Sequence, residues 1–256
     1  MKFVAIIPAR YASTRFPGKP LALIGNKPMI QHVYEQVKRT IDDVVVATDD
    51  QRIFDAVKSF DGKVLMTSNN HKSGTDRCFE ALQKLDGDFD VVINIQGDEP
   101  FVDVKQIEAL KTCFTDPKTE IATLIKPFGK DDLWEDFSSP NTPKVVINKR
   151  MEALFFSRSI IPYLRGIDRT KWLKTHTFYK HIGMYAYKVE TLATITALEP
   201  SNLEEAEKLE QLRWLENGYS IKVGITHSES MGIDTPEDLI KANKIFNKQK
   251  NDEKEF

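Results

Sequence analysis

Four short apolar runs rich in valine and isoleucine constrain the fold of this chain more than any other feature. They lie at Phe3–Ile7, Val44–Ala47, Val91–Ile95 and Ile121–Ile125. Each is too short for a buried helix and lacks polar alternation, a pattern typical of strands buried on both faces of a parallel sheet. Helical patterns separate the runs, and this alternation predicts an α/β fold with a doubly wound sheet.

Three helix faces are marked by apolar residues at helical spacing. These residues are Met29, Ile30, Val33, Tyr34 and Val37 in the first, Ile53 and Val57 in the second, and Ile107, Leu110 and Phe114 in the third. After about residue 130 the alternation of predicted strands and helices changes, and Pro140 and Pro143 mark a break in it. Further strands are predicted at Lys144–Asn148, Ala153–Phe156, Gly183–Tyr187 and Ile221–Thr226.

Two more helices are predicted in the C-terminal half. One runs from Leu203 to Asn217 and is ended by Gly218, a residue common just past a helix C-terminus. The last helix begins with Thr235 as its cap, Pro236 at its first position and Asp238 completing a capping box.

Composition narrows the class of protein. The 256 residues, 41% of them apolar, suffice for one large domain or one domain with an insertion, and the net charge of −2 does not indicate a nucleic-acid partner. Cys78 and Cys113 form no CxxC pair, which fits a reducing compartment. The first apolar run is far shorter than the ~20 residues of a membrane span. We therefore expect a soluble cytoplasmic protein with no membrane span.

The segment at residues 8–20, here named the cation loop, follows the first predicted strand. Because ligands of open α/β sheets bind at the carboxyl ends of strands, this loop is placed to contact one. Arg10, Arg15 and Lys19 are suited to a triphosphate, since arginine offers forked donors and lysine a point charge. They would also stabilise the charge on a departing pyrophosphate.

A solvated basic loop is an equally good reading of these three cations taken alone. Other nucleotide motifs are absent: Pro20 follows Gly18 and Lys19, so there is no Walker A sequence, and no two glycines have the i, i+2 spacing of a dinucleotide fingerprint. There is no GxSxG elbow either.

Two acidic stretches are candidate metal sites. Asp98 follows the strand Val91–Ile95, and a carboxylate at this edge is a natural Mg²⁺ ligand, although Asp98 could instead cap a helix. Asp234 precedes the cap Thr235 and is not needed for capping, which makes it a candidate second carboxylate.

Other polar residues have simpler explanations. In the stretch at residues 71–77, Ser73, Thr75 or Asp76 could cap the following helix, and this is favoured over contact with a nucleoside. An acidic sugar would need a cation and polar groups. The scattered candidates for this role are Arg158, His181, Tyr185, Glu210 and Gln211. Each alone is more often structural, and the five histidines show no zinc motif.

Taken together, these stretches resemble the 3-deoxy-manno-octulosonate cytidylyltransferase family. The matching segments are IIPARYASTRFPGKPL at 6–21, HKSGTDR at 71–77, INIQGDEP at 93–100, FFSRSIIP at 155–162, HIGMYAY at 181–187, LEQLRWLENG at 209–218 and GIDTPEDL at 232–239. The resemblance therefore spans nearly the whole chain.

The resemblance implies a nucleotide-diphospho-sugar transferase fold, with a mixed, mostly parallel sheet and helices on both faces. It implies a single nucleotidyltransferase domain over residues 1–256, in which about 130–230 form a sugar-binding and dimerisation portion. It also implies a homodimer.

The resemblance assigns residues to substrates. The nucleotide-binding set it implies is Pro8, Ala9, Arg10, Ser13, Arg15, Lys19, Ser73, Gln96 and Asp98. Of these, Arg10, Arg15, Lys19 and Asp98 would be catalytic, and Asp98 with Asp234 would bind Mg²⁺. Arg158, His181, Tyr185, Glu210 and Gln211 would surround the sugar acid.

The implied reaction transfers CMP from CTP to 3-deoxy-manno-octulosonate (Kdo) for lipopolysaccharide synthesis. An 8-amino analogue or a nine-carbon sialic acid remains open as the acceptor. Three rivals fit less well. A sugar-1-phosphate nucleotidylyltransferase usually has a glycine-rich first loop, a nucleotide-sugar sensor has no need for both Asp98 and Asp234, and an NAD-dependent oxidoreductase would carry the glycine fingerprint.

Overall fold

The computed structural model describes residues 1–228 and 231–252, and the chain divides into two compact units. The first unit comprises residues 1–104 and 230–256, and the second comprises residues 105–229. The portion predicted to bind sugar, residues 130–230, falls almost wholly in the second unit, and its last two residues lie outside the described ones. Its role, and the single-domain description, stay predictions.

The first unit is built on a parallel sheet. Its elements up to residue 94 are β1 (Phe3–Ala9), β2 (Leu23–Ile24), β3 (Lys27–Pro28), α1 (Met29–Lys38), β4 (Asp43–Thr48), α2 (Gln51–Ser59), β5 (Val64–Met66), α3 (Gly74–Gln83) and β6 (Val91–Asn94). The strands β6, β1, β4 and β5 are neighbours in that order, and all pairings are parallel. Ile6, Ile7 and Val45 are fully buried. The predicted doubly buried strands are thus confirmed.

The register of β1 and β6 fixes where the functional loops lie. Ile6 pairs with Asn94, so both strands end at the same edge of the sheet and the segments that follow them run side by side. They approach so closely that a Cβ on Gly97 would lie 2.9 Å from the main-chain oxygen of Pro8. A side chain at position 97 would push these two segments apart.

The second unit is mixed α/β. Its elements are α4 (Val104–Cys113), β7 (Ile121–Pro127), α5 (Trp134–Ser138), β8 (Lys144–Ile147), β9 (Ala153–Ser157), α6 (Trp172–Thr175), β10 (Tyr179–Lys188), α7 (Val189–Ile195), α8 (Asn202–Glu207), α9 (Gln211–Glu216) and β11 (Ile221–Ile225). The strands are neighbours in the order β11, β7, β10, β8 and β9. β11 is parallel to β7, and the other pairings are antiparallel.

The helix predicted from Leu203 to Asn217 is wrong: the chain forms α8 and α9 with a break between them. Lys208 adopts the left-handed conformation with φ 52°, which no α-helix can continue through. The break lets the carbonyl oxygens of Glu207 and Lys208 accept hydrogen bonds from the Arg158 guanidinium. The contact with Arg158 therefore determines the local structure here, although the sequence pattern predicts one continuous helix.

The last helix, α10 (Pro236–Asp252), belongs to the first unit. Its predicted capping box is confirmed, because the Asp238 N–H donates to Thr235 Oγ1 at 3.2 Å and the Thr235 N–H donates to Asp238 Oδ2 at 3.2 Å. Ala242 packs with Ile24, Met29 and Ile233 in a buried apolar cluster. In the part of the chain that the structure describes, no helix is long and apolar enough to cross a bilayer.

Candidate active site

A polar cavity of about 440 Å³ opens at the carboxyl edge of the first unit's sheet. It is lined by the cation loop, by the segments that follow β5 and β6, and by Asp234. All nine residues expected to bind nucleotide line it, namely Pro8, Ala9, Arg10, Ser13, Arg15, Lys19, Ser73, Gln96 and Asp98. The structure thus brings the predicted set together, and their role in binding stays a prediction.

Lys19 joins the two acidic residues at the cavity wall. Its ammonium lies 2.5 Å from Asp98 Oδ2 and 3.1 Å from Asp234 Oδ1, and the lysine side chain is only 15% exposed. Burial alone would lower the pKa of Lys19, but the ion pairs with Asp98 and Asp234 outweigh it and raise the pKa above 10.5. Lys19 therefore stays charged, and the two carboxylates converge on one cation.

The other cations of the loop face water. Arg15 is 66% exposed, and its Nη2 lies 3.0 Å from Asp234 Oδ2. Arg10 is also exposed and lines the cavity. An exposed ion pair such as that of Arg15 contributes little to stability, so these side chains can reorient toward an anion at small cost.

Asp98 and Asp234 line the cavity, and their carboxylate oxygens are suited to binding a metal ion. Asp98 does not cap a helix, because α4 begins only at Val104. Within residues 1–228 and 231–252 there is no cluster of three or more His, Cys, Asp or Glu side chains that could hold a metal. A pair of carboxylates suits Mg²⁺, which usually takes one or two carboxylates and completes its shell with phosphate oxygens and water.

Ser73 caps α3, as the favoured sequence interpretation expected. The Asp76 N–H donates to Ser73 Oγ at 3.1 Å, and the Ser73 N–H donates to Asp76 Oδ2 at 3.3 Å. Ser73 also lines the cavity, so the N-terminus of α3 faces it. Exposed N–H groups at a helix N-terminus favour an anionic or polar ligand there.

Arg77 is a cavity residue that sequence reasoning missed. Its side chain is 4% exposed, and its guanidinium donates to Thr67 Oγ1 at 2.6 Å and Asp49 Oδ2 at 2.9 Å. It therefore forms a fixed positive wall of the cavity. The only sequence signal was its place at the end of the HKSGTDR stretch, because its partners lie 10 and 28 residues away.

His71 was missed for the same reason. Its Nε2 contacts Glu80 on α3, and Glu80 also accepts from Lys84 Nζ at 2.6 Å and from the Ser68 N–H at 2.9 Å. Burial would raise the pKa of Glu80, but these hydrogen bonds outweigh it and lower the pKa to about 2. The Glu80 carboxylate thus anchors the segment that carries His71.

The residues predicted to bind sugar all belong to the second unit. Arg158 donates to the carbonyl oxygens of Glu207 at 2.6 Å, Pro140 at 2.8 Å and Lys208 at 3.2 Å. Its main-chain N–H also donates to the Glu207 carboxylate. A sugar carboxylate would have to compete with these carbonyls, and these hydrogen bonds give Arg158 a role in holding the break between α8 and α9.

His181 and Tyr185 form a group around Thr123, and Glu210 interacts electrostatically with Tyr185. The rings of His181 and Tyr185 are 5.3 Å apart, and His181 Nε2 lies 3.0 Å from Thr123 Oγ1. Burial lowers the pKa of His181 to about 3, so the imidazole is neutral. Burial and the charge of Glu210 raise the pKa of Tyr185.

Gln211 begins α9 and is buried. Its Nε2 has no hydrogen-bond partner in the part of the chain that the structure describes. A buried amide donor without a partner is rare in native proteins and indicates a place that water or a ligand completes. Gln211 and the group around Thr123 are therefore suited to a hydroxylated ligand.

Comparison with known proteins agrees with this geometry. A family model described as cytidylyltransferase matches residues 4–223. The chain is 65% identical over 243 residues to a 3-deoxy-manno-octulosonate cytidylyltransferase of Parabacteroides distasonis, covering 94% of this chain and 97% of that protein. It is 64% identical to a protein of the same description from Bacteroides thetaiotaomicron, covering 93% and 96%.

Solved structures confirm the fold class. The chain is similar to a CMP:2-keto-3-deoxy-manno-octonic acid synthetase complexed with CTP, with a TM-score of 0.89, 41% identity and coverage of 97% of this chain and 100% of that one. It also shares the fold of a glucose-1-phosphate thymidylyltransferase from Bacillus anthracis, with a TM-score of 0.63, 18% identity and 95% coverage of each chain. The predicted nucleotidyltransferase fold is thus confirmed.

Proposed function

Because the chain belongs to the 3-deoxy-manno-octulosonate cytidylyltransferase family, we propose that it transfers CMP from CTP to Kdo and releases pyrophosphate. The chain is accordingly a nucleotidyltransferase. The observation that carries the proposal is that all nine residues expected to bind CTP, together with Asp234, line one cavity at the edge of a parallel sheet.

The cation loop binds the triphosphate of CTP. Arg10, Arg15 and Lys19 neutralise the phosphate oxygens and the charge that develops on pyrophosphate as it leaves. The fixed guanidinium of Arg77 adds positive potential to the same cavity. Ser73 and Gln96 face the nucleoside.

Asp98 and Asp234 would hold Mg²⁺. Their fit to one cation is supported by the distances from the Lys19 ammonium to their oxygens, 2.5 and 3.1 Å. When bound, the metal supplies positive charge to the α-phosphate and lowers the pKa of the attacking hydroxyl. Lys19, which lies against both carboxylates, would then be available to the phosphates.

The reaction is an in-line displacement at the α-phosphorus. The anomeric hydroxyl of Kdo forms the new P–O bond and loses its proton, while the bond from the α-phosphorus to the bridging oxygen of pyrophosphate breaks. The chain's residues contribute position and charge rather than a covalent intermediate. His181, Tyr185, Glu210 and Gln211 contact the sugar hydroxyls, and Arg158 contacts its carboxylate.

The enzyme acts as a homodimer in the cytoplasm. The cytoplasmic location is supported by its two cysteines, Cys78 and Cys113, which are buried and free rather than paired. The dimer follows from the family resemblance and is tested by the molar mass in solution, for which the chain's 29.3 kDa predicts a value near twice that figure.

Pyrophosphate release tests the function. Purified protein is incubated with CTP, MgCl₂ and Kdo, and each component is omitted in turn; release that requires all three supports the proposal. UTP in place of CTP, and a sialic acid in place of Kdo, serve as matched substrate controls. No release from folded protein that still binds CTP would reject Kdo as the acceptor.

A further inference from the structure

Tyr11 closes the base of the cation loop on itself. The Gly18 N–H donates to the main-chain oxygen of Tyr11 at 2.9 Å. A Cβ on Gly18 would lie 2.8 Å from Tyr11 Cζ, so the phenol ring packs directly on the glycine main chain. Gly18 has φ 73°, which only glycine adopts freely, and it is followed at once by Lys19. The segment between Tyr11 and Gly18 is therefore a closed loop.

Arg52, on α2, holds the ring of Tyr11. Its guanidinium carbon lies 3.3 Å from the ring centroid, a close cation–π contact. The guanidinium is itself fixed, because Nε and Nη2 donate to the two carboxylate oxygens of Asp50 at 2.9 and 2.6 Å. Asp50 is the N-cap of α2 and also accepts from the Arg52 N–H. A helix packed on the sheet thus contacts the loop through a stacked side chain.

We propose that Arg52 is a positioning residue for CTP, which acts by clamping Tyr11 and thereby holding the cation loop in the shape that presents Arg10, Arg15 and Lys19 to the triphosphate. The inference rests on the proposed function of the cation loop. Arg52 lies outside the stretches that carry the family resemblance, and it does not line the cavity. Its effect reaches the nucleotide only through the loop.

The physical reason is entropic. Arg10 and Arg15 are exposed side chains, and a loop free to move would have to be ordered each time the triphosphate binds. That ordering weakens affinity, whereas a loop fixed in advance avoids the loss. The clamp acts on the binding of CTP more than on the turnover of bound substrate.

The first experiment measures steady-state kinetics of Arg52→Ala. We expect KM for CTP to rise about two- to fivefold with kcat nearly unchanged, the size expected of an exposed cation–π contact. Lys58→Ala is the matched control, because it removes a different cation–π contact, with Phe54 on the same helix, and leaves the stacking of Arg52 on Tyr11 in place. The proposal would be overturned if KM for CTP were unchanged in Arg52→Ala, or if it rose by the same factor in Lys58→Ala.

The second experiment needs no activity. Trypsin can cut the cation loop after Arg10 and Arg15, and we expect cleavage there to be several-fold faster in Arg52→Ala and in Tyr11→Ala than in wild type. Tyr11→Phe keeps the ring and should cut at the wild-type rate. Equal cleavage in all four proteins would reject the clamp. Faster cleavage in Arg52→Ala and Tyr11→Ala, together with no turnover of CTP by the wild type, would uphold the clamp and reject the proposed function.

Discussion

The Lys19 ammonium lies 2.5 Å from the Asp98 carboxylate, and both side chains are largely shielded from water, at 15% and 26% exposure. A charged pair in this position is not explained by stability, because the cost of removing two charges from water can exceed their mutual attraction. It is explained if the lysine occupies the place of a metal and keeps the carboxylates together until nucleotide arrives. This relationship underlies the first two predictions.

Asp98→Asn should abolish most activity while leaving the fold intact. We expect kcat to fall about 100-fold or more, because the substitution removes one of the two carboxylates proposed to hold Mg²⁺. Asp116→Asn is the control, since it also removes an aspartate paired with a lysine, Lys222, at 3.4 Å. Turnover near the wild-type level at saturating Mg²⁺ would reject the metal assignment.

Lys19→Met should strengthen Mg²⁺ binding in the absence of nucleotide. The lysine competes with the metal for the same carboxylates, so its removal should lower the Kd for Mg²⁺ about tenfold. The measurement is the rise in melting temperature on titration with MgCl₂. Lys84→Met, which removes the partner of Glu80, should leave that response unchanged. An equal response in Lys19→Met and wild type would contradict competition.

Gly97→Ala should weaken CTP binding. The new methyl group would meet the main-chain oxygen of Pro8 at 2.9 Å and separate the two cavity-lining segments, with a cost of roughly 1–3 kcal/mol. A Cβ on Gly232 would meet nothing within 4 Å among the residues that the structure describes, and Gly232→Ala should bind CTP normally. Isothermal titration of both variants with CTP distinguishes them, and equal affinities would show that the close approach does not matter.

Stability should fall as the pH drops below about 6 because of His181. The unfolded chain binds a proton near the ordinary histidine pKa of 6.5, whereas burial lowers the pKa in the folded chain to about 3. Between these values the unfolded state holds more protons, so acid favours unfolding by up to about 1.4 kcal/mol per pH unit. Urea denaturation at several pH values should show a shallower slope in His181→Gln. An unchanged slope would mean that other groups control it.

Lys208→Gly should stabilise the protein. The residue has φ 52°, where glycine avoids the steric cost that a lysine carries, so we expect a gain of about 0.5–1 kcal/mol in the free energy of unfolding. Lys244→Gly, at an exposed position within α10, should instead cost up to about 1 kcal/mol. Chemical denaturation measures the free energy of unfolding of both variants. A loss of stability in both would contradict the prediction that the backbone at Lys208 is strained.

The sheet strands could be predicted because burial on both faces leaves a direct mark on the sequence. The runs at β1, β4, β6 and β7 are apolar except for Asn94 and Thr123, and no other element of this length needs that pattern. The cation loop and Asp98 were expected at one edge of the sheet, because neighbouring parallel strands have their carboxyl ends at the same edge. For Asp234, the sequence indicated only that the residue precedes a helix and is not needed to cap it.

What the sequence could not predict depends on contacts between distant residues. The helix break at Lys208 serves the Arg158 guanidinium, and a pattern of helix-forming residues carries no trace of that partner. Arg77 becomes a cavity wall only because Asp49 and Thr67 orient it. The stacking of Arg52 on Tyr11 likewise joins two unrelated stretches of chain.

The order of the two carboxylates along the chain has a consequence for synthesis. Asp98 precedes the second unit and Asp234 follows it, although both belong to the first. A nascent chain on the ribosome can form β1, β6 and the cation loop early, but it cannot complete the carboxylate pair until the whole second unit has been translated. Products terminated before residue 234 would thus retain the cation loop and Asp98 and lack the second carboxylate, Asp234.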